Sequence, residues 1–240
     1  MVSVSVVVPA FNERGTILEV LRMARAQVID GVRFEIIVVD DGSTDGTGDM
    51  VAANPALCDR LIRLPRNLGK GGAVIAGLKA ATGDFVLFQD ADLEYDPADY
   101  SRLMEPVLRF GADLVMGSRV LAPRYTRVFY FWHLVGNRML TLLFNILNNT
   151  TFTDIYTCYL LYRRALVDPG RLTRMGWDQH AEILSRAVPR AKTMYEVPIG
   201  YHGRTYAEGK KIRAYHALAV VRTIVVERIS RFLTSPETAV

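Results

Sequence analysis

One stretch of sequence decides the fold: Phe85-Val86-Leu87-Phe88-Gln89-Asp90-Ala91-Asp92-Leu93-Glu94. Its first four residues are apolar and predict a short strand buried on both faces. Asp90 and Asp92 follow where this strand opens into a loop. Two carboxylates at this spacing can turn toward one divalent cation, and hard oxygen ligands select Mg²⁺ or Mn²⁺. Acidic loops are common on protein surfaces, so it is the position after a buried strand that favours a metal site.

Apolar runs like this one recur on both sides of the stretch. They predict further strands at residues 3–8, 34–39, 61–64 and 114–116. Between them, helical spacing of apolar residues predicts one helix beginning near Thr16, where Glu19 completes a capping-box pattern. A second helix has a small-residue face formed by Ala73, Ala76, Gly77 and Ala80. Strands alternating with helices predict an α/β fold with a mostly parallel central sheet flanked by helices.

Polar loops follow the first four predicted strands, at residues 9–13, 40–45, 67–72 and 89–94. In parallel sheets, ligands bind beyond the carboxyl ends of strands, so these loops predict one shared site. Asp40 and Asp41 could accept hydrogen bonds from a nucleobase or a ribose. Ser43 and Thr44 are better explained by capping of the next turn.

The glycine-rich loop at residues 67–72 matches neither standard phosphate-binding pattern. Val74 breaks a GxGxxG motif, and Lys70 is followed by Gly71 where a P-loop has Ser or Thr. These mismatches exclude a dinucleotide oxidoreductase and a P-loop hydrolase. The loop could still bring backbone N–H groups and Lys70 near an anion.

Composition and charge narrow the function classes further. The chain has 240 residues and a net charge of +4, but residues 1–120 carry 12 basic and 17 acidic side chains, and residues 121–240 carry 17 and 8. Two cysteines a hundred positions apart exclude a disulfide scaffold or a cysteine-rich zinc site. We expect no signal peptide and a cytoplasmic location. The arginines are dispersed, so we expect no nucleic-acid partner.

The second half of the chain differs from the first in composition and hydrophobic pattern. Residues 129–147 are rich in aromatic residues and leucine, residues 156–162 predict a strand, and residues 214–233 predict an amphipathic helix. The apolar stripe of this helix consists of Leu218, Val221, Val225, Ile229 and Phe232. Both this stripe and the aromatic cluster at residues 125–132 fit either core packing or a lipid interface.

The sequence resembles the family 2 inverting glycosyltransferases of GT-A, Rossmann-like, fold. The resemblance rests on motifs that occur in order at residues 7–13, 37–43, 67–71, 81–92 and 117–119. Within that family the sequence is most similar to dolichyl-phosphate and polyprenyl-phosphate mannosyl- and glucosyltransferases. The resemblance continues through residues 154–163 and 196–211. It implies a GT-A domain at residues 1–213, with a nucleotide-sugar half at 1–120 and an acceptor half at 121–213. Residues 214–240 would form a C-terminal amphipathic helix and tail.

The resemblance also assigns site residues. It implies a nucleoside site at Pro9, Phe11, Glu13, Asp40 and Asp41, and a nucleotide-sugar site at Lys70, Asp90, Ala91, Asp92, Lys210 and Lys211. It implies a metal held by Asp90, Asp92 and Glu94, the last replacing a glutamine common in the family. Arg119 would contact an acceptor phosphate, and Arg124, Arg127 and Arg138 compete for a second such role. Arg204 would close over the diphosphate with Lys210 or Lys211. The segment at residues 157–162 departs from the polar versions of the family.

The resemblance implies inverting transfer of mannose or glucose from GDP-mannose or UDP-glucose to a polyprenyl, dolichyl-type, phosphate. We expect Mg²⁺ or Mn²⁺ as cofactor and a peripheral position on the cytoplasmic face of the membrane. Two alternatives remain open at this point. If the acceptor is a saccharide or small-molecule hydroxyl, Asp178 is the candidate base, although it equally fits a helix cap. The second alternative is a non-catalytic nucleotide-sugar-binding protein. His133 and His180 fit buried, satisfied histidines better than catalytic ones.

Overall fold

The computed structural model describes residues 1–121, 131–203 and 216–234. Within these residues the strands pair into one sheet of order β3-β2-β1-β4-β6-β5-β7. The strands are β1 (Val2–Ala10), β2 (Val32–Asp40), β3 (Arg60–Arg63), β4 (Phe85–Phe88), β5 (Leu114–Ser118), β6 (Leu160–Arg163) and β7 (Met194–Pro198).

Helices cover the sheet and join its strands. They are α1 (Ile17–Arg25), α2 (Thr47–Ala52), α3 (Lys70–Ala80), α4 (Tyr100–Phe110), α5 (Phe131–Asn148), α6 (Gln179–Ala187) and α7 (His216–Thr234). Short 3₁₀ turns lie at Pro55–Leu57, Pro97–Asp99, Arg164–Leu166, Pro169–Arg171 and Val188–Arg190. The predicted α/β architecture and the predicted C-terminal helix are both confirmed.

The sheet is mostly parallel, as predicted, and β6 is the exception. It runs antiparallel to both β4 and β5, while the other neighbouring strands are parallel. Residues 156–162 were expected to form a strand, but β6 begins only at Leu160. The residues before it, at positions 156–158, line the cavity that is described below. The strand β7 at the sheet edge had no counterpart among the predicted strands.

The core forms where the apolar runs predict it. The centre of β1, the carboxyl-terminal half of β2 and all of β4 are buried, and α3 packs on β1 through its small-residue face. A Cβ added at Gly77 would collide with the side chain of Val7, which shows how closely this helix approaches the sheet. The parallel pairing of β1 with β2 and with β4 brings the carboxyl ends of these three strands to one edge of the sheet.

The predicted capping box at the start of α1 is wrong. The Thr16 side chain caps no backbone N–H of the helix. Its hydroxyl instead donates to the carbonyl of Ala91 at 2.9 Å. This bond ties the start of α1 to the loop that follows β4, so Thr16 serves the acidic loop rather than the helix end.

Helix α7 turns its predicted apolar stripe away from the core. The buried positions of α7 are Val220, Thr223 and Ile224. Leu218 and Phe232, which belong to the stripe, are exposed. The inner face of α7 packs against α5 and α6. Among the described helices, none has the length and apolar character needed to cross a membrane.

Candidate functional site

A cavity of about 640 Å³ lies at the carboxyl ends of β1, β2 and β4 and extends under α5, the start of α6 and α7. It brings together most of the predicted site residues, which come from segments far apart in sequence. These lining residues are Pro9, Phe11, Glu13, Asp41, Lys70, Asp90, Ala91, Asp92, Glu94 and Arg119. The predicted residues Arg204, Lys210 and Lys211, and the competing Arg124 and Arg127, lie outside the described residues.

The two adjacent aspartates after β2 have different roles, although both were predicted to contact the nucleoside. Asp41 lines the cavity and accepts hydrogen bonds from the N–H groups of Leu68 and Gly69 at 2.7 and 3.0 Å. Burial raises the pKa of Asp41. Asp40 instead accepts from the N–H of Ser43 at 3.0 Å and faces Arg63 of β3. The prediction for Asp40 is therefore not supported, because side chains alternate along a strand and place the two carboxylates on opposite sides.

The loop after β1 is clamped to the loop after β2 by Asn12. Its side-chain carbonyl accepts from the N–H of Thr44 at 2.8 Å, and its own N–H donates to Ser43 Oγ at 3.0 Å. Asn12 adopts a left-handed backbone conformation with φ of 54°. Ser43 and Thr44 thus join two loops and do not cap α2. The clamp fixes Phe11 and Glu13 on the cavity wall.

In the glycine-rich loop at residues 67–71, three backbone N–H groups are already bonded within the protein, so they are not left for a bound anion. Asp41 takes those of Leu68 and Gly69, and the N–H of Gly71 donates to the carbonyl of Met175 at 2.8 Å. At Gly69, with φ of 87°, an added Cβ would lie 2.6 Å from the same carbonyl. Glycines are needed here because the loop packs directly against backbone.

Lys70 is the part of this loop that faces the cavity. Its ammonium donates to Asp90 Oδ1 at 2.6 Å and lies 5.2 Å from the ring centre of Trp177. Burial opposes both charges, but their mutual attraction outweighs it. The pKa of Lys70 is therefore raised and that of Asp90 is lowered. Both groups are charged at neutral pH and form one side of the cavity.

Asp92 and Glu94 follow Asp90 in the acidic loop. Asp92 is buried, and its Oδ1 accepts from the N–H of Glu94 at 3.0 Å. Glu94 Oε2 accepts from the hydroxyl of Tyr201 at 3.0 Å. In the part of the chain that the structure describes, no three His, Cys, Asp or Glu side chains converge as metal ligands. The predicted three-carboxylate set of Asp90, Asp92 and Glu94 is therefore not formed, since Lys70 and Tyr201 hold two of its members.

Gln89 anchors the acidic loop and was not predicted as a site residue. It is fully buried, and its Oε1 accepts hydrogen bonds from the hydroxyls of Tyr100 and Tyr159 at 2.9 and 2.8 Å. Its amide nitrogen donates to the carbonyl of Asp90 at 3.0 Å. A polar residue directly after a fully apolar strand was the only signal that the sequence contained.

Arg119 is a basic residue of the cavity wall. It makes a bidentate pair with Asp154, with Nε and Nη2 donating at 2.7 and 2.9 Å. Burial opposes these charges, but the pair keeps the pKa of Arg119 raised and that of Asp154 lowered. The guanidinium also lies 5.0 Å from the ring centre of Tyr201. Asp154 was not predicted as a site residue, and it fixes the orientation of Arg119.

Three further side chains line the cavity. Cys158 is buried beside Asp90, and burial raises the pKa of its thiol. His133 and His180 also line the cavity. Burial and the nearby Lys70 lower the pKa of His180 to about 4, so this imidazole is neutral at pH 7.

Asp178 lies at the start of α6 but faces α7. Its Oδ2 accepts from the hydroxyl of Thr223 at 2.8 Å, and Arg174 is its second partner at 3.8 Å. It makes no side-chain cap to α6. Its neighbours Trp177, Gln179 and His180 line the cavity, whereas Asp178 does not. Neither expectation for Asp178, a catalytic base or a helix cap, agrees with these contacts.

Comparison with known families agrees with the motifs. Residues 5–169 match the model of glycosyl transferase family 2. One curated relative is the low-salt glycan biosynthesis hexosyltransferase Agl6 of Haloferax volcanii, 28% identical over 210 residues. Another is an undecaprenyl-phosphate 4-deoxy-4-formamido-L-arabinose transferase of Pseudomonas aeruginosa, 29% identical over 238 residues. The alignments cover 84% and 97% of this chain, which spans 48% and 66% of the two relatives.

A solved structure supports the fold. Glucosyl-3-phosphoglycerate synthase of Mycobacterium tuberculosis, in a complex with Mn²⁺, UDP-glucose and phosphoglyceric acid, superposes with a TM-score of 0.68 at 24% identity. The match covers all of this chain and 82% of that structure. The predicted GT-A fold is confirmed.

Proposed function

Because this chain belongs to glycosyl transferase family 2, we propose that it transfers a hexose from a nucleotide-diphosphate sugar to a polyprenyl phosphate with inversion. The hexose would be mannose or glucose, from GDP-mannose or UDP-glucose. The observation that carries this proposal is that the carboxylates of Asp90 and Asp92 and the guanidinium of Arg119 line the same cavity. The Pseudomonas relative, named for an undecaprenyl-phosphate acceptor, supports the lipid.

The donor would lie along the carboxyl ends of β1, β2 and β4. Pro9, Phe11 and Glu13 line the cavity at the first of these strands, and Asp41 at the second, which suits a nucleoside. Asp41 already accepts two backbone N–H groups, so it would add a ribose or base contact with its remaining lone pairs. Lys70 would supply positive charge near the diphosphate.

The residues present fit a divalent cation that is shared with the donor. Mg²⁺ and Mn²⁺ are usually held by one or two carboxylates together with phosphate oxygens and water. Asp92 suits this role because its carboxylate is buried and lines the cavity. When bound, the cation would neutralise charge that develops on the departing diphosphate. Asp92 would position the donor. That Arg204, with Lys210 or Lys211, also stabilises the charge on the departing diphosphate stays a prediction.

For a lipid acceptor, the protein has to position the phosphate. A lipid monophosphate is already anionic, so its oxygen needs no strong base to attack the anomeric carbon. Arg119 would hold that phosphate, while Asp154 and Tyr201 fix the guanidinium. This arrangement suits an acceptor with its own charge.

An acceptor with a neutral hydroxyl would need a carboxylate base in the cavity. Asp178, the candidate for that base, is bonded to Thr223 and Arg174. Its contacts therefore give no support to the alternative acceptor. The other alternative, a non-catalytic nucleotide-sugar-binding protein, is tested by whether the protein transfers any sugar.

The test is to incubate the protein with GDP-mannose, UDP-glucose or UDP-GlcNAc, a polyprenyl phosphate, and Mg²⁺ or Mn²⁺. We expect one hexose donor to yield a polyprenyl-phosphate hexose, detected by mass spectrometry. Phosphoglyceric acid and a simple saccharide serve as soluble comparison acceptors.

The matched variants are Asp92→Asn, which keeps the shape but removes the charge, and Asp49→Asn on the exposed surface of α2. Asp92→Asn should lower turnover by a factor of about 100 or more, and Asp49→Asn should leave it unchanged. Transfer to a soluble acceptor but never to lipid phosphate would refute the lipid assignment. Donor binding without any transfer would favour the non-catalytic alternative.

A further inference from the structure

Helix α5 presents an apolar stripe to the outside of the protein. Phe131, Val135, Met139, Leu142 and Ile146 recur at helical spacing along one side. Met139 and Ile146 are 67% and 69% exposed, and Trp132 beside the stripe is 77% exposed. The opposite side, with Leu140 and Phe144, is buried. A helix with a packed inner side normally has a polar outer side, so this stripe needs a separate explanation.

Helix α7 repeats the pattern next to α5. Its inner residues Val220 and Ile224 are buried, while Leu218 and Phe232 of its apolar stripe are 75% and 72% exposed. The two helices pack against one another. We call the exposed apolar residues of α5 and α7 the outer face. They are Phe131, Trp132, Leu134, Met139, Leu142 and Ile146 on α5, and Leu218, Val221, Ile229, Phe232 and Leu233 on α7.

The charges on these helices indicate what covers the outer face. The charged residues of α5 and α7 are four arginines and one glutamate. Arg138, Arg222 and Arg228 are exposed. Glu227 accepts a bidentate pair from Arg186 at 2.9 and 3.0 Å, so its charge is neutralised within the protein. Exposed apolar side chains flanked by arginines match an anionic lipid surface. In a two-fold contact with a second copy, by contrast, a patch of one charge sign would meet itself.

The outer face is continuous with the cavity. Trp132 belongs to both, and Asn137 of α5 and Ala217 of α7 line the cavity from the inner sides of the same helices. A surface that rests on the outer face would therefore lie beside the cavity.

We propose that the outer face of α5 and α7 docks on an anionic lipid bilayer and holds the cavity at the level of the headgroups. The inference rests on the proposed function, since docking there would deliver a lipid-linked phosphate to Arg119. Its test measures binding and not turnover, so the two proposals can fail separately.

The experiment is co-sedimentation of the full chain with vesicles of phosphatidylcholine, with and without phosphatidylglycerol. We expect binding to the vesicles that contain phosphatidylglycerol, and weaker binding as salt is raised. The triple variant Met139→Ser, Leu142→Ser, Ile146→Ser should bind at least about tenfold more weakly, because it removes apolar area that would be buried. The matched control is Val28→Ser with Leu108→Ser, which changes exposed apolar residues elsewhere and should bind normally.

A second pair of substitutions tests the charge separately from the apolar contact. Arg222→Gln and Arg228→Gln should each weaken binding to phosphatidylglycerol vesicles by about fivefold and leave the fold intact. Circular dichroism and thermal unfolding check that every variant is folded.

Three results would overturn the docking proposal. In the first, the wild type stays in the supernatant with anionic vesicles. In the second, the triple variant binds like its control. In the third, light scattering gives a dimer that the triple variant converts to a monomer without changing vesicle binding, which would assign the outer face to a second copy. Turnover with a water-soluble short-chain prenyl phosphate, in the absence of vesicles, tests the proposed function on its own.

Discussion

Helices α1 and α7 have the same kind of sequence pattern, but the structure uses the two apolar stripes in opposite ways. In α1 the stripe of Ile17, Val20, Leu21 and Ala24 is buried against the sheet. In α7 the corresponding stripe faces outward, and the helix packs through Val220, Thr223 and Ile224. Helical periodicity therefore identifies the helix and its apolar side, but it does not tell what covers that side.

The largest expected effect contrasts the two stripes directly. Leu21→Ala should lower the free energy of unfolding by about 3 to 5 kcal/mol, because it leaves a cavity in the core. Leu218→Ala should change it by no more than about 0.5 kcal/mol, because the side chain is exposed. Urea unfolding of both variants in the absence of lipid measures the difference. Equal destabilisation would show that the α7 stripe is packed in solution, and the contrast would be lost.

The second effect extends the contrast from apolar to charged groups. Asp154→Asn should cost about 3 kcal/mol in unfolding free energy, because it leaves Arg119 without its buried counter-charge. Asp113→Asn, which weakens the partly exposed pair with Arg163, should cost no more than about 1 kcal/mol. Urea unfolding at pH 7 checks both values. A small effect at Asp154 would mean that solvent already screens the Arg119 pair.

The first half of the fold followed from the sequence because local pattern and burial agree there. The strand predicted at Phe85–Phe88 has the same bounds in the structure, and the helix with Gly77 packs closely on the sheet as expected. These elements bury continuous apolar runs, so their identity does not depend on distant partners. In the second half, the helix predicted at residues 214–233 is present as α7, but its apolar stripe faces outward, so pattern and burial disagree there.

The site was predictable in its residue types but not in its pairings. Asp90, Asp92 and Arg119 were expected at the cavity and line it. Gln89 depends on tyrosines 11 and 70 positions away, and Asp154 on an arginine 35 positions away. Such contacts arise only when the topology joins the segments. The separation of Asp40 from Asp41, in contrast, could have been read from the alternation of side chains at the end of β2.

A third effect concerns a titratable group on the inner side of the cavity. The pKa of His180 is lowered to about 4 in the folded protein, against about 6.5 for an unfolded chain. The unfolded state therefore binds more protons below pH 6.5, so stability falls between pH 6.5 and pH 4 and levels off below that. From pH 7 to pH 5 the loss from this group is about 2 kcal/mol.

Urea unfolding across that range, with divalent cations removed, measures the loss. His180→Gln cannot take up this proton, so the difference between its unfolding free energy and that of the wild type should shift by that amount from pH 7 to pH 5. An unchanged difference would show that His180 is solvated enough to keep its ordinary pKa.

The smallest effect tests the inner face of α7 and the role of Asp178 together. Thr223→Val removes the hydroxyl that donates to Asp178 and should cost about 1 kcal/mol in unfolding free energy. Val221→Thr, on the outward side of the same helix, should cost less than about 0.5 kcal/mol. Asp178→Asn should destabilise by a similar small amount, yet turnover with a polyprenyl phosphate should stay within about threefold of the wild type, because the carboxylate serves the contact with α7. A loss of about a hundredfold or more in kcat, with stability retained, would instead identify Asp178 as the base. It would also redirect the search for the acceptor from lipid phosphates to hydroxyls.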